Sequence, residues 1–554
     1  MLEEFGKLAF SAILVCAVFP LTTARAATYY IRTDGGTAAQ CTGLANAAYS
    51  GSRHQACAWN SPMEALPPTA KNQPMKPRIA GGDTLVIAPG SYGIGYSAQA
   101  VAAFGSNLCD ANYSYDCVPQ AVPSGPDPQH PTIIKGASCT AKPELWGMQG
   151  ASHVLSLDGS SNVTLECLEL TDHSACIVFY KPDPAGACNR NWGADVGAWA
   201  STGIHARDSG DVTLRDLNIH GFASSGVNAG RLRDWTVERV TIRANGWSGW
   251  DGDLGGNDHS SANSGKLVFD QLTIAWSGCT ENYPASSVIH CWGQNEGGYG
   301  DGFAEAWTGG DWVFTRANIH DNTQDGLDLL YNNGTGSTKV VQSRFSGNAG
   351  NQIKISGPSS IVNSVVVGNC MWTQQKAGTT MLGAMQAADD CRALGSAVEV
   401  DFPLSNQLAA LAFDTITGQG DGLVDASQSG KGNKVALAND ILDGRHSDKR
   451  GDEPTFGYYG GDDNAVAVSW IGNLVHGVRH GGCPGDSICQ DPMLRDPAFA
   501  SYDPAPRPGS SAIAAASSKV VVATDFYGHP RPVRASIGAV EYAPLSLSRS
   551  QFRN

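Results

Sequence analysis

Apolar and polar positions alternate in short bursts along most of this chain, never for longer than a strand's length. Val163-Thr164-Leu165, Val212-Thr213-Leu214, Trp235-Thr236-Val237, Leu267-Val268-Phe269, Trp312-Val313-Phe314, Val340-Val341 and Ile361-Val362 read as half-buried strands. A polar break follows each, then a second alternating piece such as Leu217-Asn218-Ile219-His220 or Ala317-Asn318-Ile319-His320. A small-Gly-apolar step comes next: Gly203-Ile204, Gly226-Val227, Gly302-Phe303, Gly326-Leu327. Leu214 to Val237 is 23 residues, Phe314 to Val341 is 27 and Val341 to Val362 is 21. Three short strands per period, with no helical pattern between them, predict coils stacked at about 4.8 Å. A β-sandwich would need tight hairpin turns between neighbouring strands, and the constant period speaks against it. The expected fold is therefore all-β, a single-stranded right-handed parallel β-helix of about ten to thirteen coils with loop inserts.

The ends depart from the period. Residues 8–21 are a short apolar run followed by Ala24-Arg25-Ala26, which reads as a signal peptide over 1–26 cleaved near Ala26. The run is shorter than the ~20 residues of a membrane span. Residues 27–80 read as an N-terminal cap region tied by cysteines and 81–370 as the β-helix with the active-site coils. Residues 371–460 read as an irregular insert plus later coils, with a helix-like piece near Thr379–Leu394. Residues 461–545 read as C-terminal coils and cap, and 546–554 as a tail. Open solenoid ends expose unpaired strand edges, which is why caps are expected.

Composition narrows the function classes. The 66 glycines among 554 residues fit a turn-rich solenoid. A formal net charge of -15 argues against nucleic acid. Beyond Cys16 the cysteines fall in sequential couples, 41/57, 109/117, 139/167, 176/188, 279/291, 370/391 and 483/489. Sequence alone does not prove these pairings, but local bridges of this kind suit an oxidising compartment. A secreted or periplasmic monomer is expected.

The candidate chemistry lies where three coils align on the glycine step. They read Asp301-Gly302-Phe303-Ala304, Asp325-Gly326-Leu327-Asp328 and Asn351-Gln352-Ile353-Lys354. Asp301 and Asp325 are 24 residues apart, one coil, so stacking is expected to set them side by side with Asp328 on the same exposed face. If Leu327, Leu329, Ile353 and Ile355 point inward, Asp328 and Lys354 point outward in register. Stacked carboxylates repel, and a hard divalent cation such as calcium relieves that repulsion. A solvated face with an Asp328–Lys354 ion pair is the other reading.

These segments, with Asn322-Thr323-Gln324 before Asp325 and Gly350 before Asn351, resemble the core of the pectate lyases of polysaccharide lyase family nine. The resemblance covers roughly residues 297–370. It implies Asp301, Asp325 and Asp328 as calcium ligands and Lys354 as the base that abstracts a proton. Where the family has the first of two adjacent aspartates this chain has Gln324, whose amide oxygen would ligate with one negative charge fewer. The family's lysine after Asp-Gly-Phe-Ala is replaced by Glu305-Ala306-Trp307. The implied activity is calcium-dependent β-elimination on a uronic-acid polymer, with an alkaline optimum. A non-catalytic carbohydrate-binding protein, a uronate epimerase and a glycoside hydrolase are the alternatives on the same fold. Arg344, Trp307 and His320 are the candidate substrate contacts, with Arg231, Arg233, Lys339, His220, His290, Trp247, Trp250 and Trp292 as further groove candidates.

Overall fold

The computed structural model describes residues 26–68, 75–96, 98–99, 109, 111–148, 150–173, 200–253, 262–293, 300–305, 307–329, 331, 333, 335–368, 380–383, 395–447, 451–460, 466–479 and 482–543. Three long sheets, of 13, 12 and 10 strands, wind through the chain so that each central coil gives one strand to each sheet, while the coils at the ends lack one or two. All pairing within these sheets is parallel and one coil apart, as in Gly210–Arg215 against Arg233–Glu238. The fold is a right-handed parallel β-helix, as the periodicity predicts.

Register explains why the pattern is legible. Leu165, Leu214, Val237, Phe269, Phe314, Val340 and Ile361 stack as one inward ladder of the 13-stranded sheet. Ile204, Val227, Trp250, Phe303, Leu327 and Ile353 form the matching ladder of the 10-stranded sheet. Around the central coils the interior is aromatic. Trp250 stacks on Phe303 at 5.1 Å, Phe269 stacks on Phe314 at 4.8 Å, and Phe269 meets Phe303 edge-on at 5.0 Å. Trp250 is thus fully buried core, not a sugar-stacking surface.

One residue per coil turns the chain from the 13-stranded to the 12-stranded sheet in the left-handed conformation: Asp216 (φ 54), Arg239 (φ 53), Gln271 (φ 55), Arg316 (φ 52). The next turn, into the 10-stranded sheet, is built from buried amides. Asn245 Oδ1 accepts from Phe222 N, Asn322 Oδ1 from Ser277 N, and Asn348 Oδ1 from both Asn322 N and Asn322 Nδ2. This ladder satisfies backbone donors that have no sheet partner. It also places the residues that follow it, Asp325 and Asn351 among them.

Thr28–Gly36 supplies the first strand of the 13-stranded sheet, against Thr84–Ile87. The C-terminal segment does more than close an end. Leu494, Tyr502, Ala505, Ala512, Ile537 and Ala539 pack on Val365, Val367, Ile441 and Leu474, outside the 12-stranded sheet. Disulfides join Cys41–Cys57, Cys109–Cys117, Cys139–Cys167, Cys279–Cys291 and Cys483–Cys489. The couples 176/188 and 370/391 lie outside the described residues, as does the signal segment up to residue 25. The helix-like reading of Thr379–Leu394 is corrected where the chain is described. Thr380–Gly383 is a strand, added in parallel to Ser287–Gly293 of the hairpin that opens at Cys279–Asn282. Backbone pairing with that hairpin outweighs local helix propensity.

Candidate active site

The glycine step ends each turn and starts a strand of the 10-stranded sheet, so the residues around it gather on one outer face. Asp301, Asp325 and Asp328 present carboxylate oxygens that all lie within 4.8 Å of one another. Lys354 pairs in register with Asp328, and its Nζ lies 3.0 Å from Asp328 Oδ2 and 3.2 Å from Asp325 Oδ2. The cation site and the ion pair, alternatives from spacing alone, share the same atoms.

The two turn aspartates differ from expectation in exposure. Asp301 and Asp325 are buried, at 4% and 1%, whereas Asp328 and Lys354 reach the surface of the face. Backbone amides hold the buried pair. Asp301 Oδ1 accepts from Asp325 N at 2.9 Å, and Asp325 Oδ1 accepts from Asn351 N at 2.6 Å and Asn351 Nδ2 at 3.2 Å. Burial, then repulsion from Asp325 and Asp328, push Asp301 well above the ordinary carboxylate range, with Lys354 opposing. Burial disfavours the Lys354 charge, but Asp325 and Asp328 outweigh it and hold the ammonium above its ordinary range.

Gly350 is required by close approach. A Cβ there would stand 2.0 Å from Asp325 Oδ1. Gly350→Ala must therefore displace the Asp325 carboxylate. Where a side chain positions the chemistry, a misplacement of about 1 Å costs about 10²-fold in rate. The expected result is a drop of that order in turnover with the melting temperature little changed, read by steady-state kinetics beside thermal unfolding.

Gln324 is fully buried. Its backbone donates to Gly300 O and accepts from Gly350 N, so it spans the turns before Asp301 and before Asn351. Glu305, standing where the family pattern has a lysine, is a buried anchor. It accepts from Trp250 Nε1 at 3.1 Å and Asn263 Nδ2 at 3.0 Å.

The other candidates separate. Trp307 is half exposed in the loop after Phe303–Ala304. The amide of Thr308 donates to Tyr331 O at 2.7 Å, which sets the equally exposed Tyr331 on the neighbouring coil. Sequence pattern passes over Tyr331 because a lone aromatic in a loop carries no periodic signal. His320 ends a strand of the 12-stranded sheet and pairs with Asp321 at 2.8 Å. Arg344 begins the next strand of that sheet, where Tyr502, Tyr527 and Asp503 of the C-terminal segment act on its charge. Neither lies on the face that carries the carboxylates. Arg231 is bonded to Asp208, Arg233 to Asp211 and Asp234, and Lys339 stands on the 13-stranded sheet. The side chains of His290 and Trp292 lie outside the described residues.

His220 is buried beneath the hairpin that starts at Cys279, bonded to Glu281 and, at 2.9 Å, to Glu169. Burial lowers its pKa, the two carboxylates raise it, and the balance lies at about 9. It is the charged anchor of that insert: Arg243 grips the same Glu281, and Tyr283 stacks on His173 at 3.6 Å.

Register adds residues that sequence pattern does not reveal. The outward ladder through this face runs His205, Asn228, Asp251, Ala304, Asp328, Lys354, Glu399, Asp425. Glu399 and Asp425 follow Lys354 by one and two coils. The long insert before Ser396 hides that spacing from a period search.

No family model and no curated protein matches the chain. Among solved structures it is similar to the pectate lyase Pel9A, with 12% identity, 93% of this chain and 96% of that one covered, and a TM-score of 0.40. It is similar to XylC in complex with xylose, with 9% identity, 93% and 98% covered and a TM-score of 0.39. The A-module of the mannuronan C-5 epimerase AlgE4 of Azotobacter vinelandii gives 12% identity, 74% and 91% covered and a TM-score of 0.32. Likeness at this level decides neither substrate nor reaction.

Proposed function

We propose that the protein is a calcium-dependent polysaccharide lyase that cleaves a uronic-acid polymer by β-elimination. The observation that carries this reading is one lysine ammonium within 3.2 Å of two of three clustered carboxylates on an outer solenoid face. Hard oxygen donors with mutual repulsion suit a hard cation, so Asp301, Asp325 and Asp328 would hold calcium, with the Gln324 amide as a further donor. When bound, calcium supplies polarisation of the substrate carboxylate and offsets the negative charge that keeps Lys354 protonated. Lys354, in its neutral form, takes the proton from the carbon next to the sugar carboxylate. The C4–O bond then breaks, its electron pair leaves with the oxygen, and an unsaturated sugar remains. Asp301 and Asp325, pinned by backbone amides, keep the face pre-organised at no cost during reaction. Trp307 and Tyr331 offer ring faces to sugars at the edge of the site. The five local disulfides fit an exported protein.

The test is incubation with a panel of acidic polysaccharides while following ultraviolet absorbance of the unsaturated product, with and without a chelator. Absorbance that rises with calcium and stops with chelator is the expected result. Hydrolysis is the competing reading, because burial and the carboxylates of Asp325 and Asp328 raise Asp301 above the ordinary carboxylate range, the direction a general acid needs. New reducing ends without absorbance would establish it instead.

A further inference from the structure

We propose that the outer face of the 12-stranded sheet and the C-terminal segment packed on it form a second saccharide site, where Arg344 and the hydroxyl of Tyr502 bind the carboxylate of a uronic acid. The site lies off the face that carries Lys354 and needs no metal. It rests on the reading of an acidic polysaccharide as the partner, not on β-elimination.

Register places the groups. Phe345, Val366 and Leu442 face the solenoid core, so Arg344, Val365, Ile441 and Asp443 stand on the outer side of their strands. Arg344 pairs directly with Val365. Val365 and Ile441 belong to the apolar patch that Tyr502 packs on, and Asp443 follows Ile441 by two residues. Tyr502 therefore spans the strands between Arg344 and Asp443, and the charges of Asp443, Arg445, Arg344 and Asp503 all act on its hydroxyl.

Two polar groups here lack the partners that burial demands. Tyr502 is 6% exposed, and its hydroxyl is buried without a hydrogen bond. Such groups are rare because an unpaired buried hydroxyl has lost its water for nothing. The second is Arg344, partly buried at the margin of the C-terminal segment, whose guanidinium has no hydrogen bond or ion pair among the described residues. The carboxylates around the two are engaged elsewhere. Asp321 pairs with His320 at 2.8 Å, Asp503 with Arg495 at 3.3 Å, and Asp443 with Arg445 at 2.6 Å and His476 at 2.8 Å. Burial consequently lowers the Arg344 pKa in spite of Tyr502, Tyr527, Asp321 and Asp503, so its charge is not compensated. One uncommitted guanidinium matches one monoanion, and its planar fork fits the two oxygens of a carboxylate. A phosphate, with a charge near -2, would call for a second such cation. A carboxylate seated on Arg344 also supplies the acceptor that the Tyr502 hydroxyl lacks. Tyr527, half exposed at the same margin, adds aromatic surface suited to a sugar ring.

The experiment measures binding of a short oligogalacturonate to the full protein by calorimetry in excess chelator, where a calcium-dependent face contributes nothing. Wild type should bind it and should not bind a neutral oligoglucan of the same length. Arg344→Gln should weaken binding by at least about tenfold, the scale of a lost charge-assisted hydrogen bond. Tyr502→Phe keeps the packing and removes only the hydroxyl, so it reads the site even where Arg344→Gln disturbs the fold. Its affinity should fall several-fold with thermal unfolding unchanged. Inorganic phosphate should compete far more weakly than free galacturonate. Absence of chelator-resistant binding in wild type, binding indifferent to both substitutions, or phosphate competing as well as the uronate overturns the proposal. Calcium-dependent absorbance without chelator-resistant binding sinks this site and leaves β-elimination standing. The predicted binding without absorbance under any condition does the reverse.

Discussion

Lys354→Ala should abolish formation of the unsaturated product, with a loss in kcat of about 10²–10⁴-fold, the range that a positioned proton acceptor supplies. The substitution removes the base and also the cation that balances Asp325 and Asp328 at 3.2 and 3.0 Å. A loss of activity by itself would therefore confound chemistry with electrostatics. Lys354→Arg separates the two. Arginine keeps the positive charge beside both aspartates but does not release its proton in a protein. Its melting temperature should stay near that of wild type while product absorbance falls as far as for alanine. Activity of the arginine variant within tenfold of wild type would remove Lys354 from the role of base.

The second large effect lies away from this face, in the turn between the 13-stranded and 12-stranded sheets. Asp414 and Asp440 stack there one coil apart, both fully buried. Asp414 accepts from Ser364 N at 2.6 Å and Ala412 N at 3.1 Å, and Asp440 from Asp414 N at 2.8 Å and Ala438 N at 2.9 Å. Burial pushes Asp440 up to about 8, and burial with repulsion from Asp440 pushes Asp414 well above the ordinary range. A folded-state pKa above the unfolded value of 3.8 means that the folded protein binds the proton more tightly. This contribution to stability is full below about pH 4, falls as the unfolded chain ionises, and is gone once the pH has risen through about 8. Each tenfold difference in proton affinity between the folded and unfolded chain is worth about 1.4 kcal/mol, so the whole contribution is on the order of 5 kcal/mol. Asp440→Asn has no proton to lose but keeps only one of the two oxygens that accept from Asp414 N and Ala438 N, so it is less stable than wild type at low pH and the comparison is of the change with pH. Denaturant unfolding at pH 5 and pH 8.5 should show wild type losing several kcal/mol more than the variant across that interval. Parallel losses in the two proteins would place the pH dependence elsewhere.

Much of this architecture is legible because a solenoid repeats its physics. Every coil must bury the same ladder positions, so Val212, Trp235, Leu267 and Trp312 each open a short alternating apolar piece that is recognisable even where inserts lengthen the coil. The asparagine ladder and the left-handed corner residues are less visible. Corners are occupied by Asp, Arg and Gln as readily as by Asn, because the neighbouring strands on both sides hold the backbone there. Stacking Asp301 and Asp325 on the exposed face of Asp328 gives them the wrong exposure, since these residues sit in turns, where backbone donors draw the carboxylates inward.

Periodicity in the chain is enough to yield the fold class, the stacking of Asp301 on Asp325 and the register of Asp328 with Lys354, because a one-coil shift needs no long-range information. Which residues share the face is settled by folding alone. The folded chain carries Arg344 and His320 away to the 12-stranded sheet, where the C-terminal segment packs near Arg344, and it brings Glu399 and Asp425 into line behind Lys354. Inserts of unequal length break the sequence period without breaking the roughly 4.8 Å stacking of strands, so spatial neighbours across an insert become visible only when the chain has folded.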